Sequence, residues 1–99
     1  MARPVSLRTQ LAAEEIGRNL AAWRKLLGLT AQQVAERAGT TRQTVGRLER
    51  GDLGVGLEIF LEVSRALGVV DEVTRATDPY ETAFGRARAD QALPKRVRR

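Results

Sequence analysis

Apolar residues recur at helical spacing in several stretches of the chain, and the first stretch begins near Ala13. Four large apolar side chains then follow at intervals of four, three and four residues, which brings them to one face of an α-helix. Gly28 ends the pattern as a C-terminal glycine does. A first helix is therefore predicted, with an inward face of Ile16, Leu20, Trp23 and Leu27. Residues 1–12 lack the pattern and include Arg3-Pro4, so we expect a mobile N-terminal arm there.

Two shorter helices follow, each with its own start signal. Thr30-Ala31-Gln32-Gln33 is a capping box, in which Thr30 accepts a hydrogen bond from the backbone N–H of Gln33 and the Gln33 side chain reaches back. That helix is expected to end at Gly39. The next helix is expected to open at Thr40-Thr41, to run from Arg42 to about Arg50, and to bury Val45 and Leu48.

The fourth helix is predicted to be longer, from about Leu57 to Leu67. Its core-facing positions are expected to be Leu57, Phe60, Leu61, Ser64 and Leu67, and a fifth short helix is expected near residues 70–76. Beyond Asp78-Pro79 the apolar pattern disappears and basic runs replace it, which is typical of a tail that only a partner orders. The sequence thus predicts an all-α domain of five helices over residues 13–77, followed by a basic tail over residues 78–99.

The composition excludes several classes of function. With no cysteine and no histidine, the chain lacks a thiol nucleophile, the usual metal ligand and the usual general base. The acidic pairs Glu14-Glu15 and Glu58–Glu62 have no catalytic companion, so we expect neither an enzyme nor a metal or cofactor site. No apolar run approaches the roughly 20 residues of a membrane helix, and the N-terminus does not resemble a signal peptide. A cytoplasmic protein is therefore expected.

The charge points to the kind of partner. A net charge of +5 and a pI near 11.0 favour a polyanion, and much of the excess lies in residues 78–99. A chain of 99 residues can bury only a small core, so dimerisation is also expected.

The second and third predicted helices, separated by Gly39-Thr40-Thr41, form a helix-turn-helix pattern. Ala35 is small enough to let the two helices cross closely. The outward side chains of the third helix suit a DNA major groove, because arginine pairs with guanine and glutamine with adenine. Thr41 at the helix start is a candidate phosphate contact. The outward residues are Arg42, Gln43, Gly46, Arg47 and Arg50.

The stretch from Gly28 to Gly68 resembles the Cro/C1-type (XRE) repressor family. The residues that carry the resemblance are Gly28-Leu29-Thr30, Val34 to Gly39, Thr41 to Val45, Leu48 to Gly51, Leu57 and Ala66-Leu67-Gly68. The resemblance implies a lambda-repressor-like fold with Thr41, Arg42, Gln43 and Arg47 facing DNA. It also implies a structural ion pair between Arg24 and Glu49.

The sequence departs from this family at three positions. The family usually has a phosphate-contacting glutamine where this chain has Ala31, which leaves Gln32 as a possible substitute. Gly46 lies within the recognition helix, where it either permits close approach of the backbone to DNA or reflects weak selection. Asp52 stands where the family is often basic.

The tail is similar to the tails of HipB-like antitoxins, which are encoded beside HipA-like kinase toxins and repress their own operons. The similarity rests on Asp78-Pro79-Tyr80, Gly85-Arg86 and the ending from Leu93 to Arg98. Tyr80 and Phe84 lie four residues apart and are predicted to dock onto a partner, either the second subunit or a toxin. The sequence therefore predicts a homodimeric repressor that binds double-stranded operator DNA, with a HipA-like kinase as a second partner. The alternatives are a protein-interaction module that neutralises a toxin, a phage-type repressor and a restriction–modification controller.

Overall fold

The computed structural model describes residues 4–92, and this range is helical without any strand. The prediction of an all-α fold is therefore confirmed for the described part of the chain. No helix in that range is long and apolar enough to cross a membrane. The elements are α1 (Leu7–Leu26), α2 (Ala31–Ala38), α3 (Arg42–Glu49), α4 (Leu57–Leu67), α5 (Val70–Ala76), a single 3-10 turn (Pro79–Glu81) and α6 (Ala83–Ala92).

The main core lies where α2 packs against α3 and α4, and α1 closes it from the side of α3. Val34, Ala35 and Val45 have no exposed surface. The small Ala35 lets α2 and α3 approach closely, as the sequence predicts. Arg65 of α4 donates from Nη2 to the backbone oxygen of Arg37 at 2.9 Å, which ties α4 to the last turn of α2. The buried cluster comprises Leu20, Val34, Ala35, Ala38, Val45, Leu48, Val63 and Leu67.

The crossing of α1 over the end of α3 depends on Gly17. This glycine is buried, and a Cβ atom built on it would lie 2.5 Å from the backbone oxygen of Glu49 and 2.6 Å from that of Leu48. Gly51 follows α3 with φ +80°, and a Cβ atom built on it would lie 2.6 Å from the Cα atom of Glu14 in α1. Backbone therefore meets backbone at this contact, and no larger residue fits without moving a helix.

Helix α1 begins at Leu7, six residues earlier than the sequence pattern predicts. Ser6 is the N-cap, and its Oγ accepts a hydrogen bond from the backbone N–H of Thr9 at 3.2 Å. This cap starts the helix before the apolar stripe begins, so residues 7–12 are helical rather than an irregular arm. Residues 1–3 lie outside the described range.

The inward face of α1 also differs from the expected stripe. Its buried positions are Gly17 and Leu20, with Arg24 one turn further along. The apolar spacing predicts Trp23 in the core, but Trp23 is 46% exposed and Ile16 is 43% exposed. The close contact at Gly17 rotates α1 so that the small residue faces α3 and the bulky ones lie at the edge. In α4, Val63 replaces Leu57 on the buried face, and Leu57 is 69% exposed.

The segment after α5 is folded instead of forming an irregular tail, so the described chain has six α-helices instead of five. Asp78 accepts a hydrogen bond from the backbone N–H of Tyr80 at 2.9 Å, and Thr82 Oγ1 accepts one from Gly85 N at 2.9 Å. Gly85 and Ala89 are buried against the 3-10 turn. Two local caps and two small residues four positions apart thus order a segment that lacks an apolar stripe. The basic run from Lys95 to Arg99 lies outside the described residues.

Two helix-interior glycines give a test of the α1–α3 contact. Helix propensity alone predicts that alanine at either site stabilises by about 1 kcal/mol. At Gly46 the added Cβ would meet only the flexible end of Arg50, with Nη1 at 3.2 Å, so we expect Gly46→Ala to raise the free energy of unfolding. At Gly17 it would meet backbone, so we expect Gly17→Ala to lower this free energy by about 1–3 kcal/mol. Urea denaturation of both variants measures the difference, and equal stabilisation would contradict the described crossing.

Candidate nucleic-acid interface

The turn between α2 and α3 sets the direction of α3. Gly39 adopts φ +72° at the end of α2, a left-handed conformation that glycine adopts without strain. Thr41 then caps α3, and its Oγ1 accepts a hydrogen bond from the backbone N–H of Thr44 at 3.1 Å. Val45 and Leu48 are buried and anchor the inner side of α3. The opposite side of the helix consequently faces away from the core.

Most of the sequence-predicted DNA-contacting residues come together on this outer side. Thr41, Arg42 and Gln43 are exposed at the start of α3, and Arg50 is exposed at its end. A shallow depression of about 370 Å³ lies between the start of α2 and the outer face of α3. The residues that line it are Ala31, Arg42, Gln43, Gly46 and Arg50. The small side chains of Ala31 and Gly46 leave space there, and two arginines and a glutamine surround that space.

Gln32 does not line this depression. It is exposed on α2, and its Nε2 donates to Oε2 of Glu36 at 3.1 Å, one turn along the same helix. Ala31 occupies the position next to α3 instead.

Arg47 is half-exposed and already has a partner within the chain. Its Nε donates to Oδ2 of Asp52 at 2.7 Å. Asp52 Oδ1 accepts a second hydrogen bond, from the backbone N–H of Gly54 at 2.8 Å. The Arg47 and Gly54 hydrogen bonds hold the pKa of the Asp52 carboxyl below its ordinary value. The carboxylate therefore remains ionised at neutral pH.

The sequence pattern singles out Arg47 and Asp52 but does not indicate that they pair. They are five residues apart, and side chains at that spacing do not face each other in a continuous helix. The helix ends at Glu49, and Gly51 with φ +80° turns the chain so that Asp52 returns beside Arg47. A glycine and an aspartate directly after a recognition helix are the signal that could have indicated this contact.

Arg24 and Glu49 meet between α1 and α3 as a two-point ion pair. Arg24 Nε lies 2.7 Å from Glu49 Oε2, and Nη2 lies 3.2 Å from Oε1. Arg24 Nη1 also donates to the backbone oxygen of Leu29 at 3.1 Å, in the connection between α1 and α2. The side chains are only 16% and 15% exposed. The hydrogen bond to Glu49 raises the pKa of Arg24. Through these hydrogen bonds Arg24 connects α1 with α3 and with the α1–α2 connection.

A family model described as helix-turn-helix matches residues 20–72, which is more than half of the chain. The chain belongs to the XRE-type helix-turn-helix family. The matched region contains α2, α3 and α4 together with Arg24 and Glu49. Most of α1, the 3-10 turn and α6 lie outside it.

Two relatives agree with this membership. A protein of Methanothermobacter thermautotrophicus, named an uncharacterized HTH-type transcriptional regulator, is 49% identical over 45 residues, which is 46% of this chain and 65% of the relative. A protein of Sinorhizobium fredii with the same type of name is 37% identical over 70 residues, which is 71% of this chain and 90% of the relative. The chain thus spans just under two thirds of the first relative's length. No solved structure matches the chain.

The coupling of α1 to α3 through the Arg24–Glu49 ion pair of this helix-turn-helix domain can be tested by a double-mutant cycle. Arg24→Met or Glu49→Gln alone leaves one poorly exposed group without its charged partner, and we expect each to lower the free energy of unfolding by about 1.5–3 kcal/mol. The double variant should lose less than the sum of the single losses. Thermal and urea unfolding of the four proteins measure the coupling. Strictly additive losses would show that the pair does not couple α1 to α3.

Proposed function

We propose that this chain is a sequence-specific, DNA-binding transcriptional repressor whose α3 enters the major groove of operator DNA. The observation that carries the proposal is the outer face of α3, where Arg42, Gln43, Gly46 and Arg47 are accessible while Val45 and Leu48 anchor the opposite face. Membership in the helix-turn-helix family and the names of its two relatives support the same function.

The proposed division of labour follows from position along α3. Arg42, Gln43 and Arg47 present two-donor or donor–acceptor groups that match base edges, so they read sequence. Thr41 and Arg50 lie at the two ends of the helix, where DNA phosphates would approach, so they fix its register. Gln32, with its amide engaged by Glu36, is assigned a secondary phosphate contact at most.

We propose that the repressor binds as a homodimer through the surface between α1 and α4. A groove of about 280 Å³ there is lined mainly by apolar residues: Ala13, Ile16, Leu53, Val55, Leu57 and Phe60. Leu53 and Leu57 are 47% and 69% exposed, and such clustered exposure is typical of an interface. The groove also adjoins Gly51 and Asp52, directly after α3. The proposed dimer has to present its two recognition helices to half-sites about 34 Å apart.

Base reading is tested by alanine substitution on α3. Each of Arg42→Ala and Gln43→Ala should cost about 1–3 kcal/mol on the preferred site and relax the preference at one base pair. Arg18 is exposed on α1. Arg18→Ala removes the same charge away from α3 and is therefore the matched control for Arg42→Ala. Sites are first selected from a randomised duplex library, and affinities are then measured by fluorescence anisotropy. If both α3 variants bind selected and random DNA as the parent does, α3 is not the recognition helix.

A specific observation favours a second partner, as in the antitoxin hypothesis. Phe84 at the start of α6 is 73% exposed, and the Arg88 guanidinium lies 5.4 Å from its ring centre. Tyr80 is partly buried on the 3-10 turn, and its hydroxyl lies 3.5 Å from Asp90 Oδ1, so the two aromatics do not form one helical stripe. We therefore assign the partner contact mainly to Phe84. The naming of that partner as a HipA-like kinase toxin rests on the sequence resemblance of the tail.

The two proposed protein contacts are separable by mutation. We expect Leu57→Ser to raise the dimer dissociation constant by about tenfold or more, because it removes an apolar side chain from the interface. We expect Phe84→Ala to leave the dimer intact and to weaken binding to a kinase encoded beside this chain. Sedimentation equilibrium and titration with that kinase measure the two effects. If Phe84→Ala weakened the dimer and Leu57→Ser did not, the dimer interface would lie on α6 instead.

A further inference from the structure

The contact between Arg47 and Asp52 uses only one edge of the arginine. The Nε donor points to Asp52 Oδ2 at 2.7 Å, while the guanidinium of arginine carries further donors on its two Nη atoms. Both side chains are 40% exposed. The two Nη atoms of Arg47 make no hydrogen bond within the described residues, so these donors remain available for a second acceptor while Nε is held by Asp52.

The loop after α3 is shaped around this contact. Asp52 N donates to the backbone oxygen of Arg47 at 3.0 Å, and Asp52 Oδ1 accepts from Gly54 N at 2.8 Å. A Cβ atom at Gly54 would lie 3.1 Å from both Arg47 Nη2 and Asp52 Oδ1, so the side chain of Arg47 lies directly along the glycine. Backbone, carboxylate and glycine thus fix the direction of one arginine side chain.

We propose that Asp52 is a positioning residue that directs Arg47 to one base and thereby sets the specificity of the recognition helix, an inference that rests on the proposed function. A guanine is recognised by two donors at once, and the two Nη atoms can supply them while Nε stays on Asp52. Arginine also binds phosphates, which carry no sequence information, so an unrestrained side chain has two kinds of target. Asp52 removes that freedom before DNA arrives.

The negative charge of Asp52 also favours specific over non-specific DNA binding. It partly cancels the positive charge of Arg47, and Arg50 is near enough to feel it as well. Sequence-independent binding depends on the number of phosphates that basic groups neutralise. Asp52 therefore weakens binding to arbitrary DNA and leaves the base contact of Arg47 in place, so that the ratio of specific to non-specific affinity rises.

The test uses Asp52→Asn in the full chain. Asparagine keeps an oxygen acceptor for Gly54 N, so the turn is retained, but it loses the carboxylate that holds Arg47. We expect the preference at the base pair read by Arg47 to fall by about 2- to 10-fold, the effect of freeing one long side chain, while affinity for random DNA rises. Glu58→Gln, at an exposed position of α4, makes the same change in net charge and is the control.

Selection from a randomised duplex library with the parent, Asp52→Asn, Arg47→Ala and their double variant separates the outcomes. We expect the preference at one base pair to be lost in Arg47→Ala and weakened in Asp52→Asn. In the double variant, Asp52→Asn should cause no further change, because Arg47 is already absent. An intact preference in Asp52→Asn, or equal effects with and without Arg47, overturns this inference and leaves the proposed function standing. A parent protein that enriches no sequence overturns both.

Discussion

The contact between α1 and the end of α3 is the constraint on which the rest of the domain depends. Gly17 allows the α1 backbone to approach the carbonyl oxygens of Leu48 and Glu49, and the Arg24–Glu49 pair fixes the same crossing two turns further along α1. Because the pair also reaches Leu29, it restrains the connection that leads into α2. With its inner face held in this way, α3 presents a fixed outer face. The position of Arg42, Gln43 and Arg47 therefore depends on residues packed on the opposite, inner side of α3.

Much of the helix-turn-helix could be predicted from the sequence because its signals are local. The capping box of Thr30 and Gln33 is present, with hydrogen bonds of 2.8 and 3.0 Å. Gly39 ends α2 in the left-handed conformation, and Val45 and Leu48 are buried as their spacing indicates. Each of these features depends on residues within four positions of one another, where periodicity and capping chemistry are decisive. The placement of the outer residues of α3 on one surface follows from the same spacing.

The remaining features depend on contacts that a linear pattern does not contain. Trp23 lies on an apolar stripe, but the backbone contact at Gly17 rotates that stripe partly toward solvent. The early start of α1 comes from the cap at Ser6, which precedes any apolar repeat. The Arg47–Asp52 pair forms only because the chain turns at Gly51. In the last segment, Gly85 and Ala89 are small residues packed against a turn, and hydrophobic periodicity does not register such contacts.

The 3-10 turn and α6 form a unit whose main packing is internal. Gly85 and Ala89 face the turn, Arg86 donates to the backbone oxygen of Tyr80 at 2.7 Å, and Ala89 is not part of the main core cluster. Proteins open in cooperative units with different free energies, and such a unit opens at a lower cost than the domain to which it is attached. Substitutions in α6 therefore change a local equilibrium and leave the global stability of the DNA-binding domain nearly untouched. If α6 binds a protein partner and α3 reads operator DNA as proposed, natural selection can alter the two contacts as largely independent traits.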